Sequence, residues 1–131
     1  GTPPIAPVIG FSSSIDFMNE TNPDKIFKHE MDIHDYALEE LKKINKVKIY
    51  GESKNKGGII SFNVDGVHNR DLGAMLDKKN IAIRTGHHCC QPLMKFYEIK
   101  GTARVSFGVY NTKNDIDYFI DSLNEIIDIL K

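Results

Sequence analysis

The chain has 131 residues, 40% of them hydrophobic and 27% charged, with a formal net charge of -1 and a pI near 6.6. That length suits one domain able to bury roughly two-thirds of the surface its unfolded form exposes. The charge balance leaves no basic footprint for nucleic acid and no acidic tail, and no apolar run approaches the ~20 residues of a membrane helix, so function must sit in a site.

Cys89 and Cys90, the two cysteines of the chain, are adjacent and supply no disulfide framework, because neighbouring residues seldom meet disulfide geometry without strain. The chain therefore reads as intracellular. It opens Gly1-Thr2-Pro3-Pro4 without an initiator Met, a charged leader or a transit-type segment, and so reads as a piece of a longer protein.

Ile5, Val8, Ile9, Ile15 and Met18 fit one face of a first helix, with Thr2 as its N-cap and prolines in the first turn. In a second helix Asn22 caps, Pro23 takes the first position, and Phe27, Met31, His34, Leu38 and Leu41 recur at spacings of three and four. His34 on that stripe reads as a core or boundary histidine rather than a ligand. Val47 to Tyr50 and Gly58 to Val64 read as antiparallel strands joined by the polar turn of residues 51–57. Asn69 is expected to cap a short helix around Leu72, Met75 and Leu76, with Asn80 ending it and a strand from Ile81 to Arg84 following.

Pro92 to Tyr97 suggests a helical turn. Ala103, Val105 and Phe107 then alternate with Arg104 and Ser106 as a strand should, so Arg104 faces away from Val105. Thr112 and Asp115 resemble a capping box for a closing helix whose stripe is Ile116, Phe119, Ile120, Leu123, Ile126, Ile127 and Leu130. This order implies an α+β domain, a small mainly antiparallel sheet covered by helices.

The chemistry concentrates in Arg84-Thr85-Gly86-His87-His88-Cys89-Cys90-Gln91-Pro92, a loop between a strand and a helical turn. A tetrahedral zinc site needs ligands spaced to wrap the metal, and these are crowded with no distant Cys pair to complete the set. Burial of both cysteines as small hydrophobes is an alternative, which the flanking histidines weaken. A reactive thiolate fits better, with imidazolium or Arg84 lowering a thiol pKa from its usual value near 8.5. A hydrolytic Cys-His pair would also want an orienting partner and an oxyanion site. The sequence offers neither, so something else supplies the electrophile.

Several ordered motifs resemble one family, the group II (SufS-type) cysteine desulfurases of the class-V aminotransferases. They are Gly1-Thr2-Pro3, the central strand Ile59-Ile60-Ser61-Phe62-Asn63, the active loop Ile83-Arg84-Thr85-Gly86-His87-His88-Cys89, and Arg104-Val105-Ser106 with Tyr110-Asn111-Thr112. The resemblance runs nearly end to end. It implies that residues 1–131 form the C-terminal small domain of a fold-type I pyridoxal-phosphate enzyme, whose large domain carries the cofactor's lysine. No lysine here has the family's Ser-x-His-Lys context.

The implied activity converts L-cysteine to L-alanine, with the sulfur captured as a persulfide on Cys89 for iron-sulfur cluster assembly. Arg104 matches the arginine that holds the substrate carboxylate, a task for a planar two-pronged donor. Arg84 and His87 are expected to shape the loop and tune the thiol, Arg84 on the substrate side, and Thr2 to reach the cofactor phosphate of the other subunit in a homodimer. His88 receives no firm role. Cys90 stands where the family has Ala, and could resolve a persulfide, bind metal or only pack. Arg70-Asp71 lacks the His before Asp of relatives that use a zinc-bearing scaffold, which favours a sulfur acceptor of the SufE kind. The short link from Cys89 to Pro92 implies an acceptor that reaches into the site. A bacterial setting implies the cytoplasm, a eukaryotic one a plastid or other organelle. Selenocysteine lyase activity and a thiol or metal-binding docking module are the competing readings.

Overall fold

A computed structural model describes residues 1–53 and 56–130, so part of the turn expected over residues 51–57 lies outside the described residues. Nine elements follow in chain order: α1 (Ile5–Thr21), α2 (Pro23–Lys42), β1 (Val47–Tyr50), β2 (Ile59–Val64), α3 (Asn69–Asp77), β3 (Arg84–Gly86), α4 (Gln91–Phe96), β4 (Thr102–Ser106) and α5 (Lys113–Ile129). The strands form one antiparallel sheet in the order β1-β2-β4-β3. This is the expected α+β architecture.

Alternation divides the sheet into two faces. On one, Ile60, Phe62, Val64, Ala103 and Val105 are buried with Ile33, Ala37 and Leu41 of α2, Leu72 and Leu76 of α3, and Ile116, Phe119, Leu123, Ile126 and Ile127 of α5. Phe62 meets Phe119 edge to face with centroids 6.2 Å apart. The capping box that opens α5 forms as expected: Thr112 accepts from the Asp115 N–H, and the Asp115 carboxylate accepts from the Thr112 N–H. That N–H and the Thr112 hydroxyl hold the Asp115 carboxyl below its ordinary range. His34 is fully buried in the core, its Nδ1 2.8 Å from Asp35 Oδ1.

Five local expectations are corrected. Thr2 does not cap α1; Pro4 holds that position, without a side-chain bond. The apolar residues of α1 are not buried: Ile5, Val8, Ile9, Ile15 and Met18 are exposed, as are Phe11 and Phe17, because the rest of the described chain leaves α1 uncovered. Phe27 is 59% exposed, and Ile33 and Ala37 take its expected place inside. His68 rather than Asn69 caps α3, its Nδ1 accepting the Arg70 N–H, and α3 ends at Asp77, with Asn80 beyond it at φ 59°. The third strand runs from Arg84 to Gly86 instead of ending at Arg84, because the rungs of β4 available for pairing stand opposite Arg84, Thr85 and Gly86.

Candidate functional site

The second face of the sheet carries the polar side chains of β2 and β4. Ser61 stands opposite Arg104, and Arg104 stands opposite Arg84, so one row crosses β2, β4 and β3. Directly opposed residues of an antiparallel pair project to the same face, where like charges repel. Two arginines placed in register across β3 and β4 are a pairing that a bound anion would relieve. The Arg104 Nε is buried without a hydrogen-bond partner, which leaves a charged donor unsatisfied at some cost.

Gly86 turns the chain out of β3 at φ 116°. A Cβ on Gly101 would lie 2.8 Å from the Gly86 carbonyl carbon and oxygen, so the two backbones meet where only hydrogen fits. The loop then passes through consecutive left-handed residues, His88 at φ 54° and Cys89 at φ 57°, a conformation that costs a non-glycine residue roughly 1 to 2 kcal/mol. Internal bonds hold it: the Cys89 N–H donates to His87 Nδ1 at 3.2 Å, and the Cys90 N–H to the His87 carbonyl at 2.8 Å.

Both cysteines are free and exposed, which removes the reading of a buried structural pair. Arg84 Nη2 lies 3.8 Å from Cys89 Sγ. His88 Nε2 lies 3.2 Å from the Thr102 carbonyl oxygen and 2.9 Å from its hydroxyl. The carbonyl only accepts, so Nε2 carries the hydrogen and Nδ1 keeps a lone pair. That Nδ1 is buried with no partner. Burial first, and the Arg104 charge second, hold the His88 imidazole below its ordinary 6.5.

A cavity of about 350 Å³ is lined by Ser61, His88, Cys90, Met94, Thr102 and Arg104, with Tyr50, Tyr97 and Ile99 among its other walls. It offers an arginine, a neutral imidazole and a thiol against an apolar wall. Of the residues expected from sequence, the fold brings Arg84, Arg104, His87 and Cys89 to one end of the sheet. Thr2 is not in the cavity lining and lies exposed ahead of α1. Sequence reasoning passed over His88. Its only signal was its place between the turning Gly86 and the cysteines, and only the Thr102 contact gives it an orientation. Among the described residues no group of three or more His, Cys, Asp or Glu is placed to hold a metal ion, and no helix is long and apolar enough to cross a membrane.

The Arg104 guanidinium, left with a free donor, suits the anionic substrate of a pyridoxal-phosphate enzyme, while the His88 lone pair is an acceptor and offers an anion nothing. Among the described residues no lysine lines the cavity to hold the cofactor's aldehyde. The residues therefore fit the substrate side of such a group.

The class-V aminotransferase family model matches residues 1–119. A probable cysteine desulfurase of Halalkalibacterium halodurans is 44% identical over 125 residues, which cover 95% of this chain and 30% of the relative. One from Staphylococcus aureus is 42% identical over 126 residues, with the same coverage. The apo cysteine desulfurase of Thermococcus onnurineus has the same fold at TM-score 0.93 and 35% identity, over 98% of this chain and 32% of that one. The Escherichia coli cysteine desulfurase CsdA, in an S-sulfonic acid form, gives TM-score 0.93 at 28% identity, over all of this chain and 32% of that one. The chain spans about 30% of the length of the curated relatives it matches. With this match, the α+β sheet and the Arg, His and Cys cluster on its open face, the chain belongs to the class-V aminotransferase family and corresponds to a segment of its cysteine desulfurases.

Proposed function

We propose that residues 1–131 are the C-terminal small domain of a cysteine desulfurase of the SufS type, supplying the sulfur-accepting thiol and the substrate's carboxylate clamp. The observation that carries this reading is the row of Arg104 and Arg84 ending 3.8 Å from the Cys89 thiol. Pyridoxal phosphate, when bound, supplies an electron sink for the α-carbon of an amino acid.

In this reading Arg104 binds the carboxylate of L-cysteine with its planar fork and so fixes which end of the substrate faces the loop. Arg84 stands beside the Cys89 sulfur. The Cys89 sulfur, its proton given up, attacks the substrate sulfur; an S–S bond forms as the C–S bond breaks, the electron pair of the broken bond stays with the substrate carbon, which takes up a proton, and Cys89 becomes a persulfide as alanine leaves. His87 holds the loop through the Cys89 N–H. Thr2 is the candidate for the cofactor phosphate of the other subunit in a homodimer.

Two further features support a larger assembly. The exposed apolar residues of α1 form a surface of the kind that marks an interface. Cys89 is open to solvent, as delivery of sulfur to a SufE-type acceptor for iron-sulfur cluster assembly requires. A cytoplasmic setting would keep both thiols reduced.

The test compares alanine formation from L-cysteine by the full-length protein and its Cys89→Ser variant. The variant should fall to background while still binding cofactor; undiminished alanine formation would overturn the assignment. The segment alone should form no alanine with cysteine and pyridoxal phosphate.

A further inference from the structure

The two thiols of the loop sit in different surroundings. Cys89 lies beside Arg84 and does not line the cavity. Cys90, the next residue, does line it, together with Arg104, Ser61, Thr102 and the apolar Leu93 and Met94. The backbone changes from φ 57° at Cys89 to φ −130° at Cys90, and both sulfurs are free.

We propose that Cys90 is a second sulfur acceptor, taking the outer sulfur of a Cys89 persulfide and holding it on the cavity side. This rests on Cys89 forming that persulfide. The Cys90 thiolate attacks the outer sulfur; a new S–S bond forms to Cys90, the old one to Cys89 breaks, and the electron pair of the broken bond stays on Cys89 as thiolate. The Cys90 proton passes to solvent, to which the residue is exposed. No oxidant or reductant is consumed.

Attack on the inner sulfur would instead expel hydrosulfide and close a disulfide between adjacent residues, which their geometry disfavours. Transfer of the outer sulfur leaves both side chains unstrained. Its consequence is capacity: Cys89 is restored beside Arg84 and can accept a second sulfur while the first waits against the wall formed by Leu93 and Met94.

The experiment uses the full-length enzyme with bound cofactor and cysteine labelled in its sulfur, without an acceptor protein. After alkylation, the tryptic peptide of residues 85–95, which holds both cysteines, is sequenced by tandem mass spectrometry. The wild type should carry labelled sulfane sulfur on both Cys89 and Cys90. Cys90→Ser should carry it on Cys89 alone and accumulate half as much, and serine is well tolerated at the start of a helix, so the loop should keep its fold. Cys89→Ser should carry none. Label confined to Cys89 in the wild type would overturn the relay and leave the desulfurase reading standing. Label absent from both cysteines would overturn both. Label on Cys90 in Cys89→Ser would overturn the relay by showing direct capture from substrate.

Discussion

The two faces of one sheet divide the work of this protein. Along β4, Ala103 and Val105 point into the core, while Thr102 and Arg104 line the cavity. The core face meets three helices and is closed by apolar contact, so its free energy comes from area removed from water. The cavity face holds two like charges in register and, among the described residues, buried polar atoms without partners on Asn63, His88 and Arg104, arrangements that cost free energy until a bound group or a proton satisfies them. Stability belongs to one face and reactivity to the other. The physical link is the strand itself, because a core that fixes Ala103 and Val105 also fixes the direction of Arg104.

This contrast can be broken most forcefully from the core side. Phe62→Ala should cost about 3 to 5 kcal/mol of unfolding free energy by urea denaturation, because Phe62 is fully buried against Phe119. Arg104→Lys should instead leave the denaturation midpoint nearly unchanged. It should raise the full-length enzyme's KM for cysteine roughly 10- to 100-fold, the worth of a charged hydrogen bond of about 1.5 to 3 kcal/mol. Equal loss of stability in both variants would remove the distinction between the faces.

Arg84→Gln should stabilise the segment by roughly 0.2 to 1 kcal/mol, since it relieves a like-charge pair across β3 and β4. The gain should shrink as salt is added. Last comes pH. His88 has its folded pKa below the ordinary 6.5, so between the two values the unfolded chain binds more protons. Its contribution to stability is complete above about pH 6.5 and is lost as pH falls through the folded value. Its ring resonances in NMR should titrate below 6.5, and denaturation above and below that pH should show a smaller acid loss in His88→Gln.

Much of the core face was legible in the sequence because its signals are local. Thr112 and Asp115 announced the start of α5, and the stripe from Ile116 to Leu130 gave its buried side. Alternation of Ala103, Val105 and Phe107 with Arg104 and Ser106 gave β4 its two sides. Cys89, Arg84 and Arg104 were also named from sequence, through motif order rather than from any pattern of spacing. Their proximity rests on the pairing of β3 with β4, and the intervening chain carries no signal of that register.

The misreadings have physical reasons. The periodicity of α1 predicted a buried face, but periodicity reports where apolar residues fall on a helix and not whether anything covers them. Ile81 and Ile83 looked like strand residues because they are apolar and β-branched. They pack only partly against the core, and the Ile81 N–H bonds back to Leu76 of α3 rather than to a neighbouring strand. His88 looked like the less useful of two histidines, yet a left-handed backbone turns it toward Thr102 and leaves His87 outside.

By itself, then, the amino-acid order determined the class of fold and the closing helix, since each follows from neighbours within a few positions or from motif order. Tertiary structure alone decided that Arg84 stands opposite Arg104, that Cys90 and not Cys89 borders the cavity, and that His88 keeps a free lone pair. Those facts depend on strand register and on two consecutive left-handed residues, which are fixed by contacts between segments far apart in the chain.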